Sequence, residues 1–249
     1  MGKLIGKKAI ITGAAGGIGQ AIAEKFSNEG ADVALLDMNI DQAKHNASKL
    51  IAEGKIAIAD HINLLEEDSI KDTFSRLKES FGLAHILVNS AAIADGGLLE
   101  ELSTAQWDKM IGVNLRGSFL CCREVIPSMK RNRWGRIINI ASEVAHRGHP
   151  GLSHYAASKA AVIAMTKCLS LELVEDNIRA NVLSPGPTDT SMISGLDEET
   201  LSNLLTDLMP IGRLAQPNEI ASAALYLASD DADFCVGMTL NINGGTHRL

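Results

Sequence analysis

Seven short apolar runs punctuate the chain, at Lys8–Ile11, Asp32–Leu36, Ile56–Ala59, His85–Asn89, Arg136–Ala141, Ile178–Ser184 and Met238–Ile242. The stretches between them carry helical periodicity. Most of the runs are continuous in Val, Ile, Leu and Ala rather than alternating, the signature of strands covered on both faces. Repeated strand–helix winding therefore predicts an α/β fold over residues 1–249, with a doubly wound, seven-stranded parallel sheet and helices on both faces. Ser103-Thr104-Ala105-Gln106 reads as a capping box opening a long helix that carries Asn114, and Gln216-Pro217-Asn218-Glu219 opens another with proline in its first turn.

The first run leads straight into Thr12-Gly13-Ala14-Ala15-Gly16-Gly17-Ile18-Gly19, followed by an amphipathic helix from about Gln20 to Asn28. Strand, glycine turn and helix together make a phosphate cradle, because glycines let the backbone approach a pyrophosphate and the helix N-terminus offers unpaired N–H groups. The second strand ends in Asp37, 18 residues beyond Gly19, where a dinucleotide fold places the acid that accepts from the adenosine ribose.

Tyr155 and Lys159 stand four residues apart, a spacing that puts both on one face of a helix. A phenol titrates near pH ~10 and is a poor base at neutral pH unless its anion is stabilised. A lysine ammonium about 4 Å away contributes roughly 4 kcal/mol at an effective dielectric of about 20, or about three pKa units. Ser142 is placed to steady the reacting oxygen of a substrate while the proton moves.

Thr12-Gly-x-x-x-Gly-x-Gly19, Asn89-Ser90-Ala91-Ala92, Asn114, Ser142, Tyr155-x-x-x-Lys159 and Ser184-Pro185-Gly186, in this order, resemble the motif set of the short-chain dehydrogenase/reductase family over about Gly6 to Thr246. The resemblance implies a Rossmann fold with an N-terminal half devoted mainly to the dinucleotide and a C-terminal half carrying the catalytic helix and a substrate lid at about 190–209. It implies that Tyr155 is the acid/base, that Lys159 lowers its pKa and binds the nicotinamide ribose, that Ser142 orients the substrate oxygen and that Asn114 holds a water. Cofactor contacts are then expected from Thr12, Gly13, Gly17, Ile18 and Gly19, from Asp37 and Met38, and from Asn63 at the adenine edge with Leu64. Asn89, Ala91, Pro185, Gly186, Thr188 and Thr190 complete that set beside Tyr155 and Lys159. Ser90, Ala92, Asn63 and Thr188 depart from the family's usual residues.

Asp37 accepts from a free 2′-hydroxyl and repels a 2′-phosphate, and Gly16, Met38 and Asn39 supply no cation to reverse that. NAD is the expected cofactor. Substrate walls are expected from Ala94–Gly97, from Glu143–Gly151 and from the lid, where Met192, Ile193 and Leu196 offer an apolar cover. Asp95, Glu143, His146, Arg147 and His149 make two of these walls polar, with Val144 among them. Glu143 beside Ser142 is expected to bind a substrate hydroxyl or amine, and His154 to face away. The leading expectation is NAD(H)-dependent interconversion of a secondary alcohol, polyhydroxylated or cyclic, and its ketone. The alternative is a 3-oxoacyl-thioester reductase with Lys130-Arg131-Asn132-Arg133 as a carrier-protein dock. A dinucleotide-sensing scaffold with a dead site is the third reading, which the intact Asn114, Ser142, Tyr155 and Lys159 oppose.

A formal charge of -7 over 249 residues argues against nucleic acid or an anionic membrane as partner and leaves a small molecule. No apolar run approaches a membrane span, and Met1–Gly6 lacks a signal-peptide core, so a cytoplasmic protein is expected. Cys121, Cys122, Cys168 and Cys235 lack metal-ligand spacing and read as reduced packing residues, with no metal site. Phe119, Leu120, Val125, Val162, Met165, Leu169 and Leu173 exceed what one sheet face covers. In the family the corresponding helices pack across two-fold axes, which implies a homotetramer.

Overall fold

A computed structural model describes residues 2–194, 205 and 208–248. Strands β1 (Lys8–Thr12), β2 (Asp32–Asp37), β3 (Ala57–His61), β4 (Ile86–Asn89), β5 (Gly135–Ile140), β6 (Ile178–Pro185) and β7 (Thr239–Ile242) form one parallel sheet in the order β3-β2-β1-β4-β5-β6-β7. The expected architecture is present. Odd and even positions of each strand serve different layers. Ala9, Ile11, Val33, Leu35 and Val88 pack under α1 (Gly17–Asn28), α2 (Ile40–Ala52) and α8 (Pro217–Ala228). Ile10, Ala34, Leu36, Leu87 and Ile137 pack under α3 (Glu67–Ser80), α5 (Ser118–Asn132) and α7 (Ser153–Leu173). Burial on both faces is why the runs are continuous.

Winding reverses between β1 and β4, and their ends are flush, with Thr12 opposite Asn89. A ligand crevice is expected outside the carboxyl ends at such a point. The Thr12 hydroxyl holds it in shape, accepting from the N–H groups of Ser90 and Ala91, each at 3.1 Å.

Several sequence expectations need correction. The first helix starts at Gly17, not Gln20, because the glycine turn itself forms its first turn. The long helix predicted around Asn114 is present and opens at the Ser103 capping box, but it is not α-helical throughout: α4 (Thr104–Ile111) passes through a π turn at Gly112–Gly117 into α5. Leu120, Val125, Val162 and Leu173 are covered by their own chain, so they are not surplus, whereas Phe119 is exposed. Cys168 is exposed rather than a packing residue; Cys121 and Cys122 are buried, and desolvation raises both thiols, Cys122 to about 12. Lys130-Arg131-Asn132-Arg133 closes α5 at the amino edge of β5, opposite the crevice. There Lys130 and Arg133 pair with Asp176 at 3.1 and 3.0 Å.

Candidate active site

The glycine turn is shaped by backbone rather than side chains. Gly13 has φ +71°, and a Cβ there would stand 2.7 Å from Ala91 Cα. A Cβ on Gly19 would stand 2.2 Å from the Gly13 carbonyl oxygen. No side chain caps α1 at Gly16, which leaves the first-turn N–H groups for an outside acceptor. Thr190 lies over Gly17, with its methyl 3.2 Å from where a Cβ would be. At the end of β2 the Asp37 carboxylate accepts from Ala15 N–H at 3.0 Å and Asn39 N–H at 2.9 Å. It is thereby fixed beside the turn. These features fit a dinucleotide pyrophosphate and ribose. Thr188 is buried, donating to the Gly186 carbonyl at 2.9 Å, and a bridge to Ala215 fixes the segment after β6.

Two expected cofactor contacts look elsewhere. Asn63 spends its amide on the turn before α3, donating to Glu66 at 2.8 Å and accepting from Leu65 N–H at 3.1 Å. Asn89 turns inward, donating to Asn139 at 2.8 Å and to the Ser118 carbonyl at 3.3 Å. Asn139 passes the chain to Thr166 of α7 at 2.8 Å. This amide ladder ties the sheet to α5 and α7 under the crevice. A buried amide must find partners, and Asn139 on the neighbouring strand supplies one. Met38 is exposed, while Leu64 is buried against Gly117 of the π turn.

Ser142 leaves the end of β5, and Tyr155 and Lys159 lie in the first two turns of α7. The Ser142 hydroxyl hydrogen-bonds the phenol and favours its anion, yet burial is the larger influence and raises Tyr155, with the Glu143 carboxylate adding to the rise. Lys159 donates to the Ile140 carbonyl at 2.8 Å, and its nitrogen stands 5.9 Å from the Tyr155 ring centroid. Burial brings Lys159 down to about 8. The expected three-unit lowering of the tyrosine is therefore corrected: desolvation of the phenolate outweighs the favourable partners, and the ammonium is held on a backbone carbonyl. Tyr155 is a protonated acid at neutral pH.

Asn114 sits in the π turn, a feature frequent at functional sites. Its amide accepts from Ile93 N–H at 2.9 Å and donates to Ile93 O at 3.0 Å and Ser158 Oγ at 3.1 Å. Ser158 in turn donates to the Tyr155 carbonyl at 2.7 Å. The Asn114 side chain thereby clamps the loop after β4 to α7. The π turn that carries it has no signal in the hydrophobic pattern.

The polar walls are also spoken for. Glu143 is buried and paired in a fork by Arg147, one arm at 3.0 Å, both belonging to the segment of the short helix α6 (Val144–Arg147). A carboxylate buried this deeply needs a cation, and the residue one helical turn on provides it. Asp95 pairs with His154, which is buried. His146 stacks on His247 with ring centroids 5.0 Å apart. His149 is exposed, with Nδ1 2.7 Å from the Pro150 carbonyl oxygen, and Val144 is buried. Glu143 and Asp95 thus both have partners within the protein, Asp95 through one carboxylate oxygen. Leu196, and with it much of the expected lid, lies outside the described residues; Met192 is exposed. A surface cleft of about 320 Å³ opens between α1 and α8, lined by Gly17 and Thr190 of the expected cofactor set together with Gln20, Glu24, Asp189 and Asn218, and none of Asn114, Ser142, Tyr155 or Lys159 borders it.

A doubly wound sheet with a phosphate turn at its reversal point and a serine, tyrosine and lysine beside it defines a dinucleotide-dependent oxidoreductase. Residues 13–247 match the family model described as Enoyl-(Acyl carrier protein) reductase. The sequence is 39% identical over 247 residues to the 3-oxoacyl-[acyl-carrier-protein] reductase FabG of Thermotoga maritima, covering 98% of each chain. It is 37% identical to the uncharacterized oxidoreductase YxbG of Bacillus subtilis, covering 98% of this chain and 92% of that one. It is 36% identical to the FabG of Staphylococcus aureus, covering 97% and 98%. The chain belongs to the short-chain dehydrogenase/reductase family, whose members use a nicotinamide cofactor.

Proposed function

We propose that this protein reduces the 3-oxo group of an acyl thioester to the secondary alcohol, with NADH as its dinucleotide. The observation that carries the substrate class is the occupation of the wall carboxylates: with Glu143 on Arg147 and Asp95 on His154, the two acidic groups expected to recognise a polyhydroxylated substrate are bonded within the protein. What remains to meet a carbonyl oxygen is the pair of hydroxyls of Ser142 and Tyr155. The names of relatives aligned over nearly the whole chain support the same class.

NADH, when bound, supplies the hydride. The chain's own residues hold and orient the reactants. The glycine turn and first turn of α1 accept the pyrophosphate, and Asp37 accepts from the adenosine ribose while repelling a 2′-phosphate. Ser142 donates to the substrate oxygen, and Tyr155 passes its phenolic proton to that oxygen as negative charge develops there. The raised phenol suits that acid role. Lys159, still cationic at pH 7, lies beneath Tyr155 to hold the nicotinamide ribose and to stabilise the phenolate left behind.

Asp37 favours a second reading, oxidation of a secondary alcohol by NAD, because an acid at that position selects the unphosphorylated dinucleotide. One experiment separates the two. Acetoacetyl-coenzyme A with NADH or NADPH, and a panel of secondary alcohols and polyols with NAD, are assayed side by side. Thioester reduction with kcat/KM for NADH at least about a hundredfold above NADPH is expected from a repelled phosphate. No thioester turnover together with efficient alcohol oxidation establishes the second reading, and a preference for NADPH refutes the role of Asp37.

No helix among the described residues is long and apolar enough to cross a membrane. We propose that the protein works in the cytoplasm as a homotetramer, the exposed apolar face of α7 supplying the contact.

A further inference from the structure

The loop that follows β4 is tied to the catalytic helices at alternate residues. Ile93 is clamped through both its N–H and its carbonyl by Asn114, at 2.9 and 3.0 Å. Asp95 meets His154 Nε2. Gly97 N–H donates to the Gly151 carbonyl at 2.9 Å. The three ties together hold the loop at the π turn, at the first turn of α7 and at the residues just before α7. The outer two use backbone of the loop, whereas the middle one joins two side chains.

His154 is the second residue of α7 and immediately precedes Tyr155. Neighbouring residues on a helix project about 100° apart, so His154 leaves the helix in a different direction from Tyr155. Its ring is fully buried, and Nδ1 has no hydrogen-bond partner among the described residues. Asp95, by contrast, has a side chain 46% exposed. The imidazole therefore depends on this one carboxylate for its polar contact, and the carboxylate depends on the imidazole for its place in the wall.

We propose that His154 and Asp95 are positioning residues, which fix the wall formed by Ala94–Gly97 against the first turn of α7 and so set where a substrate rests beside Tyr155. Neither touches the reacting atoms. The inference concerns the shape of the crevice and holds for an acyl thioester or for a simple secondary alcohol.

The test is Asp95→Ala, Asp95→Asn, His154→Gln and the Asp95→Ala/His154→Gln double variant, assayed with acetoacetyl-coenzyme A or, if that is not turned over, with the best secondary alcohol of the panel. Asp95→Ala is expected to raise the substrate KM about tenfold, the loss of one charge-assisted hydrogen bond, with kcat and the Kd for NADH changed by less than about twofold. Asp95→Asn, whose amide oxygen still accepts from Nε2, should recover most of that loss. The double variant should be no worse than the poorer single, as for two residues acting through one contact. An unchanged KM in Asp95→Ala overturns the proposal, whether or not its melting temperature falls, as does a Kd for NADH that rises in step with KM. If His154→Gln does not fold, the Asp95 pair of variants decides alone.

Discussion

At the residue scale, Tyr155 and Lys159 show how burial governs a pair whose spacing in the sequence points to charge. Tyr155→Phe keeps the ring and removes only the proton donor, so the rate of carbonyl reduction should fall by roughly 10²–10⁴, with NADH affinity retained. Steady-state kinetics beside a fluorescence titration of NADH measures both. Lys159 titrates at about 8 in the fold and near 10.5 in the unfolded chain. Between those values the unfolded chain binds the extra proton, so this residue's contribution to stability rises with pH; below 8 its burial cost is fully in force. That cost, net of the bond to the Ile140 carbonyl, is about 3 kcal/mol. Lys159→Met should therefore be inactive yet more stable at pH 7 by up to about 3 kcal/mol, the difference shrinking toward pH 10.5. Urea titrations at stepped pH test this, and a variant less stable than wild type at pH 7 rejects it. Residue identities and spacing make Ser142, Tyr155, Lys159 and the glycine turn legible in the sequence alone. The partners of Glu143, Asp95, Asn63 and Asn89 are not, because each depends on which way a side chain turns and on a residue brought near only by folding.

At the scale of elements, the strands and their winding are readable because a strand buried on both faces must be apolar throughout, and seven such runs separated by helical stretches admit few other arrangements. The π turn at Gly112–Gly117 is not readable in this way, since one extra residue in a helical turn leaves the apolar periodicity of a six-residue stretch almost unchanged. The glycine turn allows a sharp test. In Gly13→Ala the new methyl would meet Ala91 backbone at 2.7 Å from a residue with φ +71°, so neither the turn nor the end of β4 can stay in place. Strain of this kind costs on the order of 1–3 kcal/mol. The Kd for NADH should weaken at least about tenfold, and thermal melting should show a lower Tm in the absence of dinucleotide. Unaltered NADH binding would mean that the turn tolerates movement and that the pyrophosphate rests elsewhere.

For the whole molecule, the issue is what covers α7. The helix is apolar around much of its circumference, and Ala160, Ala164, Cys168 and Leu171 form an exposed stripe along it, with Leu171 73% exposed. Phe119 of α5, 45% exposed, adds an aromatic. Lys167 and Glu172 flank this stripe, but an isolated chain in water gives its apolar side chains nothing to pack against. Small residues at 160 and 164 let another helix approach closely, and a closed two-fold arrangement would place the same stripe from a second copy against the first. On this basis the proposed tetramer is held in part by α7 against its symmetry mate. Leu171→Glu puts a charge at the stripe's most exposed apolar position, where the folded single chain leaves it in solvent. It should therefore leave the melting of the isolated fold within about 0.5 kcal/mol of wild type while splitting the assembly. Sedimentation equilibrium at micromolar concentration should show a tetramer for the wild type and a smaller species for Leu171→Glu. A wild-type monomer, or a tetramer indifferent to the glutamate, would show that another surface makes the contact, with fully exposed Phe234 in the turn before β7 the next place to substitute.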